Sequence, residues 1–174
     1  MEIKTPRLVL RPLGIRDLAS TYEYASDPEN AKFMVYYPHE SIAETEAFLK
    51  ACDAEWQKSE PDFYEFAILA DGTHIGGITL YYFEEDRDTA EFGWIINKKY
   101  WKKGYAFEAA QALMKYAKEE LGVRHFTASC DSENLPSYRL MEKLGMVKTD
   151  YKGTRRNKLS PQEERAELKY ELFV

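Results

Sequence analysis

The sequence predicts an α+β domain: one mixed, mostly antiparallel sheet of seven strands flanked by about four helices. Two observations carry this. In the middle of the chain, FYEFAILA, GTHIGGITLYYFE and TAEFGWII are apolar, aromatic-rich runs parted by DGT and the charged EEDRD, as in an antiparallel meander. After them the chain reads helix, strand, helix, strand, an order that can set two neighbouring strands parallel.

Each element has its own signal. RLVLRPL (7–13) is strand-like, and Pro12 confines it to a sheet edge or a strand end. GIRDLASTYEYASD follows as a helix with Leu18 and Tyr22 on one face. Ser41 and Glu44 have the spacing of a capping box, and Phe48, Leu49, Cys52 and Trp56 continue at helical intervals, giving a second helix. The meander comes next. Ala106, Ala109, Ala110, Leu113, Met114, Ala117 and Leu121 then step at three and four residues up to Gly122, which suits a helix C′ position. RHFTASC is a strand, SENLPSYRLMEKLGM a helix stopped by Gly145, and VKTDY and RAELKYELFV are a last pair of strands around a charged connection.

With 174 residues and 44% hydrophobic content, one domain spanning 1–174 with a sizeable core is expected. Lys plus Arg number 24 against 30 Asp plus Glu, a net charge of -6, which argues against a general nucleic-acid footprint. The two cysteines, Cys52 and Cys130, fit buried free thiols in a reducing cytoplasm better than a disulfide framework. The N-terminus lacks a signal-peptide core and no apolar run approaches a membrane span, so secretion and membrane insertion are not expected. His39, His74 and His125 have no Cys or carboxylate at metal-ligand spacing, and no metal is expected.

WKKGYAFEAA (101–110) places two lysines at the positive end of a helix dipole. The first amides of a helix have no intrahelical acceptor, and Gly104 and Ala106 leave a phosphate oxygen room to reach them. A tight turn with solvated lysines explains the same residues. Downstream, Asn134 is placed to cap the next helix with Ser137 in its first turn, and capping alone accounts for Asn134 and Pro136.

Together, EFGWIINKKYWKKGYAFEAAQALMKYA and NLPSYRLMEKLGM resemble the GCN5-related N-acetyltransferase (GNAT) family, in particular the group that acetylates N-terminal residues of ribosomal proteins. The likeness extends to TPRLVLRPL at the start and covers essentially the whole order of elements. It implies that the fourth and fifth strands are parallel and splay apart, and that acetyl-CoA is the co-substrate. Its pyrophosphate would lie on the amides of Lys102, Lys103, Gly104, Tyr105 and Ala106. Its pantetheine arm would pair with the backbone at Ile95, Ile96 and Asn97 and bond Asn134, with Arg139 near the phosphates or adenine. Trp101 stands where many members have Gln or Arg, a departure common in the ribosomal group. Met141 stands where many have a Tyr that protonates the departing thiolate, and a thioether cannot donate a proton. Ser137 is the replacement the resemblance favours for the acid, and Tyr138 the second choice.

For the base, the resemblance points to Glu91, which shares a strand face with Gly93 and Ile95; a salt-bridged strand residue or a water chain are the alternatives. Glu84 and Glu85 are weaker candidates. The implied reaction is direct acetyl transfer to a primary amine in a ternary complex. Protein N-termini and small amines such as polyamines or aminoglycosides both qualify as acceptors, and a non-catalytic acyl-CoA-sensing domain is the contrasting class. The acceptor cleft is expected from loops around 28–40 and 152–165, and monomer and homodimer remain open.

Overall fold

The computed structural model describes residues 1–83 and 86–174. Glu84 and Glu85, the weaker base candidates, lie outside the described residues. The elements run β1 (Ile3–Lys4), β2 (Leu8–Pro12), α1 (Leu18–Ala25), α2 (Ile42–Glu55), β3 (Phe63–Ala70), β4 (Thr73–Phe83), β5 (Asp86–Ile96), α3 (Tyr105–Glu120), β6 (His125–Asp131), α4 (Leu135–Lys143), β7 (Val147–Lys148), β8 (Thr154–Arg155) and β9 (Arg165–Phe173). The sheet order is β1-β2-β3-β4-β5-β6-β9-β7, with β8 on β9, and β5/β6 is a parallel pair in an otherwise antiparallel sheet.

Nine strands replace the expected seven because β1 and β8 are two-residue pairings, too short to show any periodicity. For the same reason VKTDY, read as a full strand, pairs only at Val147 and Lys148. Pro12 is the last residue of β2, where its missing N–H costs the ladder least.

Alternation divides the sheet into two faces. One carries Leu10, Phe66, Ile68, Ile78, Leu80, Phe92 and Phe126 against Ala109, Ala110, Leu113 and Ala117 of α3, all buried. Complete burial of each large side chain contributes about 1.5–3 kcal/mol. The opposite face carries Ala67 under Leu13, Leu49 and Cys52, and Ile95 under Tyr24 and Ala25. Glu65, Thr79, Glu91 and Gly93 fall on this second face, in register with one another through Glu65↔Thr79, Thr79↔Gly93 and Tyr81↔Glu91.

Candidate active site

β5 and β6 pair only from Thr89↔His125 to Phe92↔Ala128. Beyond Phe92 they part, while β6 goes on pairing with β9 as far as Asp131↔Glu167. The strands are parallel, so both carboxyl ends, and the N-termini of α3 and α4 that follow them, lie at the same end of the sheet beside the gap.

The pleat decides which main-chain groups face that gap. Asn97 N–H donates to Ile75 O across β4, at 2.8 Å. Alternation then turns Gly93 and Ile95 toward β4 as well, leaving Trp94 and Ile96 to face the gap. Consistently, Ile95 O lies only 2.2 Å from where a β-carbon on Gly76 would sit. Ile96 O is already engaged by Asn30 Nδ2 at 2.6 Å and Trp101 Nε1 at 2.7 Å. Of the three residues expected to offer backbone to a pantetheine arm, Ile96 thus faces the gap, whereas Ile95 and Asn97 do not. Trp94, which sequence reasoning passed over, also turns its main chain to the gap, and the signal for that was the period-two pleat of the strand.

After a short 3-10 turn at Lys98–Tyr100, the chain curls through two left-handed residues, Lys102 (φ 62) and Gly104 (φ 79), into α3. Such a curl converges successive amides on one point. The N–H groups from Lys102 to Phe107 have no acceptor among the described residues, and the helix ladder starts with Glu108 N–H to Gly104 O at 3.1 Å. Lys102, Lys103 and Gly104 are exposed, and Tyr105 and Ala106 are half-buried behind them. Trp101 anchors the curl through its bond to Ile96 O.

Arg7 carries no local pattern that singles it out. Its Nη1 donates to Lys103 O at 2.9 Å, its guanidinium lies 4.9 Å from the Tyr105 ring centroid, and its Nε donates to Glu108 at 2.6 Å. Glu108 also accepts from Thr5 Oγ1 at 2.6 Å. Burial would raise the Glu108 carboxyl, but the bonds from Thr5 and Arg7 outweigh it and hold the group below its ordinary value. The one acid in the first turn of α3 is thereby drawn toward the N-terminal strand and does not cap the free amides. A contact spanning 101 residues of sequence has no local signature.

Across the gap, Asn134 Oδ1 accepts from Ser137 N at 3.3 Å, and Nδ2 of the same side chain has no acceptor among the described residues. Ser137 is nearly buried, its side chain next to the Cys130 thiol, which burial pushes up to about 11. Tyr138 packs against the main core, and Met141 is fully buried there. Arg139 is exposed and has no ion-pair partner among the described residues.

On the α1/α2 face, Glu91 stands between Tyr81 and Thr127 in register. Burial raises its carboxyl, a shift that Lys169, Tyr81 and Ser129 oppose and Glu167 reinforces. The two loops expected to form the cleft do meet: Lys158 N donates to Met34 O at 3.0 Å, and Arg155 Nη2 to Phe33 O at 3.2 Å. The first loop is also tied to the end of β5, through Asn30 to Ile96 O and to Lys98 N, and through Lys98 Nζ to Asp27 at 2.7 Å.

The histidines sit apart: His39 bonds Thr45, His74 bonds Ser20 and Gly76 O, and His125 lies beside Thr89 and Glu171. No group of three or more His, Cys, Asp or Glu suited to a metal occurs among the described residues.

Comparison with known proteins agrees with this geometry. A family model described as an acetyltransferase (GNAT) domain matches residues 7–147. The uncharacterized N-acetyltransferase YnaD of Bacillus subtilis is 37% identical over 147 residues, covering 84% of this chain and 82% of that protein. The spermidine N(1)-acetyltransferase of Escherichia coli is 31% identical over 138 residues, covering 78% and 70%. The ribosomal α-N-protein acetyltransferase RimL, solved with coenzyme A, superposes with a TM-score of 0.85 over 100% of this chain and 98% of that one; at 15% identity the likeness is one of fold. The chain belongs to the GNAT family and is an acetyltransferase.

Proposed function

We propose that this acetyltransferase moves the acetyl group of acetyl-CoA to a primary amine by direct attack in a ternary complex. The observation that carries the reading is the gap beyond Phe92, bordered by the unpaired amides of Lys102 to Phe107 and the free Nδ2 of Asn134. Main-chain donors at a helix start suit a pyrophosphate, and the gap-facing edge of Trp94 and Ile96 suits an amide-bearing arm. Acetyl-CoA supplies the thioester when bound.

The chain's own residues then have little chemistry to perform. Glu91 takes the proton of the attacking amine, the N–C bond forms as the C–S bond breaks, and Ser137 Oγ gives its proton to the departing thiolate. Arg139 is exposed in α4, which supports its reading as a contact for the outer phosphates or the adenine. Two buried free thiols, Cys52 and Cys130, suit a reducing cytoplasm.

A protein N-terminal α-amine is the acceptor that the resemblance favours. The similarity to a spermidine acetyltransferase supports the second reading, a polyamine. The test incubates the protein with acetyl-CoA and, in turn, peptides with free N-termini, spermidine and an aminoglycoside, following free thiol and identifying products by mass. Thiol release with one class names the acceptor. Coenzyme A binding without release for any amine would replace the enzyme with a sensor.

A further inference from the structure

Glu65 is a buried carboxyl, 7% exposed, in the middle of β3 on the face beneath α1 and α2. Among the described residues no cation faces it. The groups facing it are Tyr24 from α1, Cys52 from α2 and Tyr37 from the loop between them, each a neutral acid that burial pushes up. Among the described residues its side chain has a single hydrogen-bond partner, Thr79, whose hydroxyl donates to Oε2 in a short contact. Oε1 lies over Gly77, 2.9 Å from where a β-carbon there would stand, with Tyr24 Oη 3.5 Å from the same point.

Thr79 connects this acid to the rim of the gap. Its register partner is Gly93, the first residue of β5 beyond the last β6 pairing, and Thr79 Oγ1 lies 3.7 Å from where a β-carbon on Gly93 would begin. Gly93 is half-buried, and with no side chain of its own it leaves the Thr79 hydroxyl, which donates to the Glu65 carboxylate, as its neighbour on this face.

We propose that Thr79 and Glu65 form a second proton-accepting station for the transfer reaction, one strand across from Gly93, in addition to Glu91 on β5 itself. This rests on the acetyl-transfer reading above. An amine that arrives as an ammonium has two protons to lose: Glu91 takes one, and the other passes from the nitrogen above Gly93 to Thr79 Oγ as the hydroxyl proton of Thr79 passes to Glu65, which ends as a neutral acid that water deprotonates after product leaves. Glu91 has Lys169 nearby to compensate its charge, whereas Glu65 has none, so Glu65 is the carboxylate whose charge a proton relieves. Burial raises the Glu65 carboxyl to about 7, near the pH at which a base in this position would work.

The sign of the pH dependence follows. A carboxyl whose folded value lies above its unfolded one contributes stability that is complete at acid pH and is lost as pH rises toward 7. Glu65→Gln is therefore expected to gain thermal stability over the parent between pH 5 and pH 8, a readout independent of catalysis. In kinetics with the best amine, the acidic limb of kcat/KM near pH 7 is expected to vanish in Glu65→Gln and Thr79→Val, with at least a tenfold loss at pH 8, and to persist in Glu91→Gln and Thr79→Ser. An acidic limb unchanged in Glu65→Gln, or no gain in its relative stability as pH rises, overturns the proposal while leaving acetyl transfer intact. A parent protein that releases no thiol with any amine overturns both.

Discussion

The two sides of the sheet are built differently around the same gap. On the side proposed for the cofactor, the groups bordering the gap are main-chain amides fixed by local geometry: two left-handed residues before α3 and an Asn cap before α4. On the side proposed for the acceptor, side chains make contacts across longer stretches of sequence: Glu65 with Thr79, Lys158 with Glu44, and Asn30 with the main-chain carbonyl of Ile96. A cradle of amides recognises any pyrophosphate and tolerates changes of side chain; a floor of side chains can change its acceptor with each substitution. Under the proposed assignment, substitutions on the second side would change the acceptor without touching the amides that meet the cofactor.

The largest effect is expected of Gly104→Glu. A non-glycine residue at φ +79 costs roughly 1–2 kcal/mol, and a carboxylate set among the free amides adds repulsion toward a pyrophosphate. Titration calorimetry with coenzyme A is expected to show affinity at least about 100-fold weaker, equivalent to roughly 2.7 kcal/mol. Unchanged affinity would remove the amide cradle from the site. Next in size is Ser137→Ala. Loss of a general acid typically costs on the order of 100-fold or more in turnover. Here kcat is expected to fall by about that factor. Coenzyme A binding should stay unchanged, because the cap uses the Ser137 N–H and not its hydroxyl. A variant with full turnover would leave Tyr138 or water as the proton donor.

The same division decides what could be read from the sequence. Gly104, Gly122 and Gly145 are all at positive φ at helix boundaries, and the N-cap at Asn134 is formed. Each was legible because helix punctuation is local. The resemblance supplied the splayed strands, which the pairing of β5 and β6 bears out, and suggested the cofactor proposed for the gap. Arg7, Thr79 and Glu65 were not legible, because an Arg in a strand and a Glu among aromatics carry no pattern until the register is known. Which amides face the gap depends on strand parity, and Ile95 and Asn97, named for the pantetheine edge, turn toward β4 instead.

The smallest effect sharpens the comparison most, since it separates main chain from charge within one residue. Lys102 sits at φ 62, a conformation that costs a non-glycine residue about 1 kcal/mol, and its ammonium is exposed beside the free amides. Lys102→Ala removes the charge and keeps the strain. Lys102→Gly removes both. If the amides do most of the binding, both variants should weaken coenzyme A by only a few-fold, about 0.3–1 kcal/mol, and that loss should shrink as salt screens the remaining attraction. The Gly variant should be the more thermally stable of the pair by roughly 1 kcal/mol, with scanning calorimetry as the check, since glycine occupies the left-handed region without penalty even after its larger chain entropy is counted. A loss of 100-fold in either variant would mean that the lysine charge, and not the curl of the backbone, holds the cofactor.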